Sequence, residues 1–274
     1  MLRGFYTAAA GMMANQRMQE TLSNNMANAY TPGYKADQGT MRAFPELLIE
    51  RMGSKTIPTK NEFKIPDSRH VGSLNTGVYM QEAIPSFVQG DMKETGVGTD
   101  LALVQNAVPD ESGSLFFRVQ NEVGEERYTR NGNFTVDGEG FLTTNRGYYV
   151  LDASGDPINT GGMEFDVSQN GELSVNGQAF TLGLSYTPDA SHMGKEGNDL
   201  FRLSEEGNII VNPGAEDGVG YSILQHHLER SNVDPNRTMT EMMNTYRSFE
   251  MNQRVLKAYD QSMQKAVTEI GRIS

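Results

Sequence analysis

Four histidines, thirty-five carboxylates and one glycine-spaced acidic run are the residues of this chain that could carry chemistry. His226 and His227 are adjacent, so they tend to point apart on any regular element, and His70 and His192 lie far off in sequence. That is not the spacing of a zinc site. Asp137-Gly138-Glu139-Gly140 starts like a calcium loop but lacks the remaining ligand positions and the closing Glu. It reads as the tight turn of a hairpin. The carboxylates show no spacing that singles out an acid and base pair, and neither a G-x-x-x-x-G-K-[ST] phosphate loop nor a G-x-S-x-G elbow occurs. Without cysteine there is no thiolate nucleophile, thiolate metal site or disulfide framework. These residues ask for no catalysis, no cofactor and no metal.

The elements that dominate the chain are its two ends. From Thr238 to Ile273, Met242, Phe249, Leu256, Met263 and Ile270 recur every seven residues, one seam of a long helix. A companion row of Met239, Tyr246, Gln253, Asp260 and Val267 sits three positions ahead, its polar members interrupting an apolar stripe. Near the N-terminus Phe5, Met12, Gln19 and Met26 form one such row and Ala8, Asn15, Leu22 and Ala29 a second. Thr31-Pro32-Gly33 then stops the helix, because proline disfavours helical geometry in the residue before it. Isolated helices are marginal in water and draw their stability from packing, so each end needs the other or a neighbouring chain. Most of the sixteen methionines fall in these ends, where adaptable packing is useful.

Composition constrains the rest. Only 37% of the 274 residues are hydrophobic, and 29 glycines with ten prolines point to many turns, hence a β-rich interior. The formal net charge is -12, yet residues 1–35 carry three basic against one acidic side chain and residues 228–274 seven against six. The ends therefore sum to +3 and residues 36–227 hold -15. That middle argues against nucleic-acid binding and fits a solvated outer surface. Met1 to Ala14 imitates a signal peptide, with one Arg and an Ala-rich patch, but Thr7 and Gly11 break the apolar run and the heptads continue through it. It is not read as a cleaved leader.

Residues 36–74 read as a poorly patterned connector, in which Phe44 to Met52 forms a short amphipathic helix and Ile57-Pro58 and Ile65-Pro66 favour extended chain. From Gly77 the pattern changes to period two, and Val78, Met80, Phe87, Leu101, Leu103, Leu115, Phe117 and Val119 mark strands. Three segments repeat within it. Phe134, Phe165 and Phe201 are followed at matching offsets by Val136, Val167 and Leu203, by Gly140, Gly171 and Gly207, by Leu142, Leu173 and Ile209, and by Asn145, Asn176 and Asn212. Each copy is predicted to be a hairpin whose glycine takes positive φ at the turn. Asn131-Gly132 is read as a further tight turn. The fold class is thus α+β: paired long terminal helices, coiled-coil-like, and a central antiparallel all-β domain, barrel or sandwich. The boundaries are 1–35 and 228–274 for the helical assembly domain, 36–74 for the connector and 75–227 for the β-domain.

Ser23-Asn24-Asn25-Met26-Ala27-Asn28-Ala29-Tyr30-Thr31-Pro32-Gly33-Tyr34-Lys35 resembles the signature of bacterial flagellar axial proteins of the rod and hook family. Leu228-Glu229-Arg230-Ser231-Asn232-Val233-Asp234, with Met242, Tyr246, Arg247, Glu250, Asn252 and Asp260, is similar to that family's C-terminal segment. Phe87-Val88-Gln89-Gly90, Thr95-Gly96, Asp100-Leu101-Ala102 and Tyr128-Thr129-Arg130-Asn131-Gly132-Asn133-Phe134 resemble the β-domain of the basal-body rod proteins, the distal rod above all. Tyr30 stands where the family usually has Asn, Pro235 enters the C-terminal motif, and Asn106 to Ser114 interrupts a short Gly-rich link.

The resemblance implies a structural subunit of the rod, polymerising into a hollow torque-transmitting shaft, with terminal helices inside and acidic β-domain outside. It implies export through the flagellar type III apparatus without a cleaved signal, a place in the basal body, and contacts with itself and with other rod and hook proteins. Phe5, Met12, Leu22, Asn25, Met26, Asn28, Met242, Tyr246, Phe249, Leu256, Met263 and Ile270 are assigned to the assembly interface. A proximal rod or hook-like paralogue is the nearest alternative, although length disfavours the hook subunit. A wall hydrolase would need an acid and a second carboxylate converging in a cleft. A secreted coiled-coil adhesin would leave motility intact when its gene is lost.

Overall fold

The computed structural model describes residues 2–57, 63–197, 199–215 and 218–270. Two long helices bracket the chain, α1 over Leu2–Ala27 and α2 over Pro235–Ile270. Between them every strand pair of described register is antiparallel. The chain divides into two compact units, one of Met1–Ser23, Gly39–Ala83 and Met239–Ser274, the other of Asn24–Gln38 and Ile84–Thr238.

In the first unit the inward face of α1 carries Ala8, Ala14 and Leu22, all buried. A Cβ at Gly4 would strike the Tyr259 ring, and one at Gly11 would lie 2.9 Å from Asn252 Nδ2, so α2 approaches α1 at two points seven residues apart on each helix. On α2 the half-buried positions follow Met242, Phe249, Leu256 and Met263, as the heptad predicts, together with Thr245, Asn252, Tyr259 and Ala266. The expected companion row is exposed from Met239 to Val267. Its Gln253 and Asp260 favour water, and the uncharged row one position earlier, Thr245, Asn252, Tyr259 and Ala266, takes the inner place.

The described residues of the connector form strands. Asp37–Ala43 pairs with Val78–Pro85, and Leu47–Ile57 pairs with Phe63–Leu74 in a long two-stranded ribbon. Of the amphipathic helix expected over Phe44 to Met52, Leu47 to Met52 is strand and Phe44 to Glu46 has no regular structure. Pro45 and Gly53 bound too short a stretch to hold a helix alone, and pairing with a second strand satisfies its backbone instead. Pro58 lies outside the described residues, as do 58–62 generally.

In the second unit the strand Ser114–Gln120 is central, with the strand Glu126–Thr129 on one side and Leu184–Thr187 and Tyr149–Val150 on the other. Alternation sorts its side chains. Leu115, Phe117 and Val119 join the main core with Leu101, Leu103, Phe134 and Leu142, while Phe116 packs on Phe87 and Phe201 with ring centroids 5.5 and 5.6 Å away.

The first two repeats are hairpins. Val136 pairs with Leu142 and Val167 with Leu173, and Gly140 and Gly171 take φ of 90° and 88°. The third departs from the pattern. Gly207 N still bonds Ser204 O at 3.0 Å, but Gly207 lacks positive φ, and the strand Ile210–Val211 pairs with Leu184–Thr187 rather than folding back on Leu200–Leu203. Met193–Gly197 and Glu126–Thr129 already occupy both edges of Leu200–Leu203. Nor is Asn131-Gly132 a tight turn: Leu101 N donates to Gly132 O at 3.0 Å and the segment runs on as a bridge. The positive-φ Asn-Gly pair is Asn176-Gly177, linking Glu172–Val175 to Gln178–Thr181.

α2 starts at Pro235, three residues before the expected Thr238, for a local reason. Asp234 Oδ1 accepts the amides of Asn236 at 2.9 Å and Arg237 at 3.2 Å, an N-cap, and Pro235 at the first helical position has no amide to leave unpaired.

Candidate functional site

Where α1 ends, the chain must turn and attach to the β-structure, and its asparagines do this. Asn28 Nδ2 bonds Asn24 Oδ1 at 2.7 Å and Asn24 O at 3.0 Å, closing the last turn. Asn25, buried, donates to Asp37 O at 2.8 Å and accepts from Asp37 N at 2.9 Å, like a rung of sheet made by a side chain. The Tyr34 hydroxyl adds a bond to Asn25 Oδ1 at 3.2 Å. Gly33 has φ 69°, and any Cβ there would collide with the Arg130 carbonyl. Only glycine meets both demands.

Gly33 N donates to Glu229 O at 2.8 Å, and two residues on, Lys35 enters the interior with 1% of its surface exposed. Its Nζ donates to Glu229 Oε1 at 2.7 Å and to Val88 O at 2.9 Å. Glu229 Oε1 also accepts Gly90 N at 2.9 Å. On the other oxygen, Arg130 Nε and Nη2 lie 2.9 and 2.8 Å away. Arg130 spends its remaining donors on Leu115 O and Leu103 O at 2.9 and 3.0 Å. Two cations thus share one carboxylate in a site closed to water.

Burial lowers the Lys35 ammonium to about 8, with Arg130 adding to the effect and Glu229 opposing it. Burial pushes the Glu229 carboxyl up, but Arg130 and Lys35 outweigh it and hold the group below the ordinary carboxylate range. Around this knot, Ala36 N bonds Asn232 Oδ1 at 2.7 Å, and Asn232 Nδ2 bonds Ser86 O at 2.7 Å. Lys195 caps the outer side, 2.8 Å from Asp37 Oδ1, 2.6 Å from Lys35 O and 4.0 Å from the Tyr34 ring centroid. Burial lowers its pKa, although Asp37 faces it.

The arrangement has mechanical rather than chemical ability. Each of the three motifs contributes one ion, so the segment leaving α1 and the segment entering α2 are fixed to one point of the β-structure. Of the residues assigned to the assembly interface, Leu22 and Asn25 are buried, Phe5, Met12, Met26, Asn28, Met242, Phe249, Leu256 and Met263 are half-buried, and Tyr246 is exposed. The side chain of Ile270 lies outside the described residues. Asn25 and Asn28 belong to the knot's surroundings; the others lie along the helices and do not gather at one site. Lys35, Arg130, Glu229 and Asn232 were not assigned a role from sequence. The available signal was a single charge, Lys35 and Arg130, set among small, polar or aromatic residues in two of the motifs; in the third, Glu229 stands beside Arg230 and Asp234 and nothing local marks it out.

A chain with helices at both ends, an antiparallel β-middle and the three motifs clasped on one buried carboxylate defines an axial structural subunit. It belongs to the flagellar basal-body rod and hook family. The family models for flagella basal body rod proteins, the FlgE/F/G D1 domain and the FlgEFG C-terminal segment match residues 5–35, 112–175 and 224–269. The chain is 44% identical to the flagellar hook-basal body complex protein FlhO of Bacillus subtilis over the full length of both. It is 30% identical to the basal-body rod protein FlgF of Caulobacter vibrioides, over 98% of each chain. To the rod protein FlgG of Buchnera aphidicola subsp. Schizaphis graminum it is 28% identical, over 97% of this chain and 98% of that one.

Proposed function

We propose that this protein is a subunit of the basal-body rod that polymerises through its terminal segments, 1–35 and 228–274, into a hollow torque-transmitting shaft. The acidic domain of residues 75–227 lies outside, and residues 36–74 join the two. The observation that carries this reading is the incomplete burial of both helices. Tyr6, Met13, Met239, Met243, Tyr246 and Val267 are exposed apolar side chains on elements that cannot be stable alone. The close approach of Gly4 to Tyr259 and of Gly11 to Asn252 supports coiled-coil-like pairing of α1 with α2.

The subunit reaches its place through the flagellar type III apparatus without a cleaved signal, and it contacts other rod and hook proteins there. A distal position fits the β-domain motifs; the 44% identity to FlhO favours a second reading, another axial paralogue of the same complex. Leu256→Asp tests polymerisation. Leu256 lies in the middle of the half-buried seam, and an unpaired carboxylate there meets a desolvation cost of several kcal/mol. The variant is expected to keep its β-structure by circular dichroism and to be absent from purified basal bodies, with motility lost. Recovery of the variant in basal bodies at normal levels would refute the interface.

A further inference from the structure

Among the described residues of the first unit two apolar surfaces are uncovered, and they differ. One is a groove of about 450 Å³ along α1, floored by Ala9, Ala10 and Ala14 and walled by Phe44 and Val78. Tyr6, Ala10, Met13 and Arg17 run along it at steps of four, three and four residues. The other is the outer stripe of α2, where Met239, Met243, Tyr246 and Glu250 follow the same steps. Its three apolar members are exposed.

Laid parallel, the two series match in shape and charge. In that alignment Met243 would fall over Ala10, a knob over a hole, Tyr246 would meet Met13, and Glu250, 3.7 Å from Arg254 on its own helix, would reach Arg17 at the end of the groove. A stripe at this spacing is how one helix reads a groove. Because groove and stripe are different surfaces of one chain, their contact is heterologous. A joined pair keeps one free groove and one free stripe, so the contact propagates instead of closing as a dimer, and it makes an open helix where the rotation does not close into a ring. We propose that the Met239–Glu250 stripe of one copy docks in the Tyr6–Arg17 groove of the next, an inference that rests on the rod-subunit reading and names its contact.

The absence of cysteine makes the test clean. Basal bodies would be isolated from bacteria producing Met13→Cys and Tyr246→Cys chains together, oxidised, and run on a non-reducing gel. A dimer band in the mixed sample, and in neither variant alone, is expected. Arg17→Glu should also remove the protein from basal bodies, and adding Glu250→Arg should restore it. Self-linkage of Met13→Cys would overturn the proposal, as would linkage only to a different flagellar protein, or no linkage with both variants incorporated. If the cysteine variants fail to incorporate, the charge exchange decides, and failure of Glu250→Arg to rescue counts against the contact. Absence of the unaltered chain from basal bodies would instead defeat the rod reading itself.

Discussion

Glu229→Gln is the sharpest test of the buried knot, because the substitution keeps the shape and removes only the charge. Glu229 accepts four donors: Lys35 Nζ at 2.7 Å, Gly90 N at 2.9 Å, and Arg130 Nε and Nη2 at 2.9 and 2.8 Å. A glutamine offers one oxygen and one NH₂, so whichever way it turns, two donors face a donor. Lys35 and Arg130, each 1% exposed, would then be two buried cations with no counter-ion. Removing one partner of a buried ion pair costs about 3–5 kcal/mol. Set against about 5–15 kcal/mol for a whole domain, that is a large share.

The same geometry ranks the alternatives. The three charges sum to one excess cation, so Lys35→Met leaves a balanced Arg130–Glu229 pair with both Arg130 bonds intact, and it should cost less than Glu229→Gln. Thermal unfolding of the full chain, followed by circular dichroism in the β region, reads the difference. At about 2–4 °C per kcal/mol for a domain of this size, Glu229→Gln should lower the β-transition by about 6–20 °C, and Lys35→Met by clearly less. Equal losses, or a larger loss for Lys35→Met, would refute the charge argument and leave only hydrogen-bond count.

Three further outcomes are expected. Lys35 titrates near ~10.4 unfolded and about 8 folded, so between these values the unfolded chain holds more protons and stability rises with pH. Urea melts at about pH 7.5 and about pH 9.5 should show this gain in the natural chain and not in Lys35→Met; above ~10 the buried Tyr34, Tyr128 and Tyr186, whose pKa values burial raises, reverse it. Gly33→Ala should cost about 1–3 kcal/mol, from positive φ plus collision with Arg130, and a melt unchanged from the natural chain would contradict the local geometry. Gly140→Val should destabilise more than Gly207→Val, since Gly140 has φ 90° against the Gly161 backbone and Gly207 meets only the Leu203 and His192 side chains; calorimetry of the two variants checks the order.

Much of this architecture was legible because it is periodic. The row of Met242, Phe249, Leu256 and Met263 faces inward as its spacing requires, and the offsets from Phe134 and Phe165 locate two hairpins. What failed lacked a local cause. Nothing between Phe44 and Met52 distinguishes a short amphipathic helix from a strand, because the deciding partner lies at Phe63–Leu74. The third repeat kept its turn yet lost its pairing, because neighbours distant in sequence had taken both edges of Leu200–Leu203. The knot was hidden for the same reason: Lys35 and Glu229 are 194 residues apart, and no local pattern pairs them.

That separation also decides what the knot joins. Once it closes, the knot joins the end of α1 and the start of α2 to the same buried point. The charges contribute little net energy compared with an apolar core; their effect is to favour one register, since Lys35, Gly90 and Arg130 all donate to the Glu229 carboxylate while Gly33 N holds its backbone carbonyl. A structural subunit needs that fixed register more than it needs extra stability.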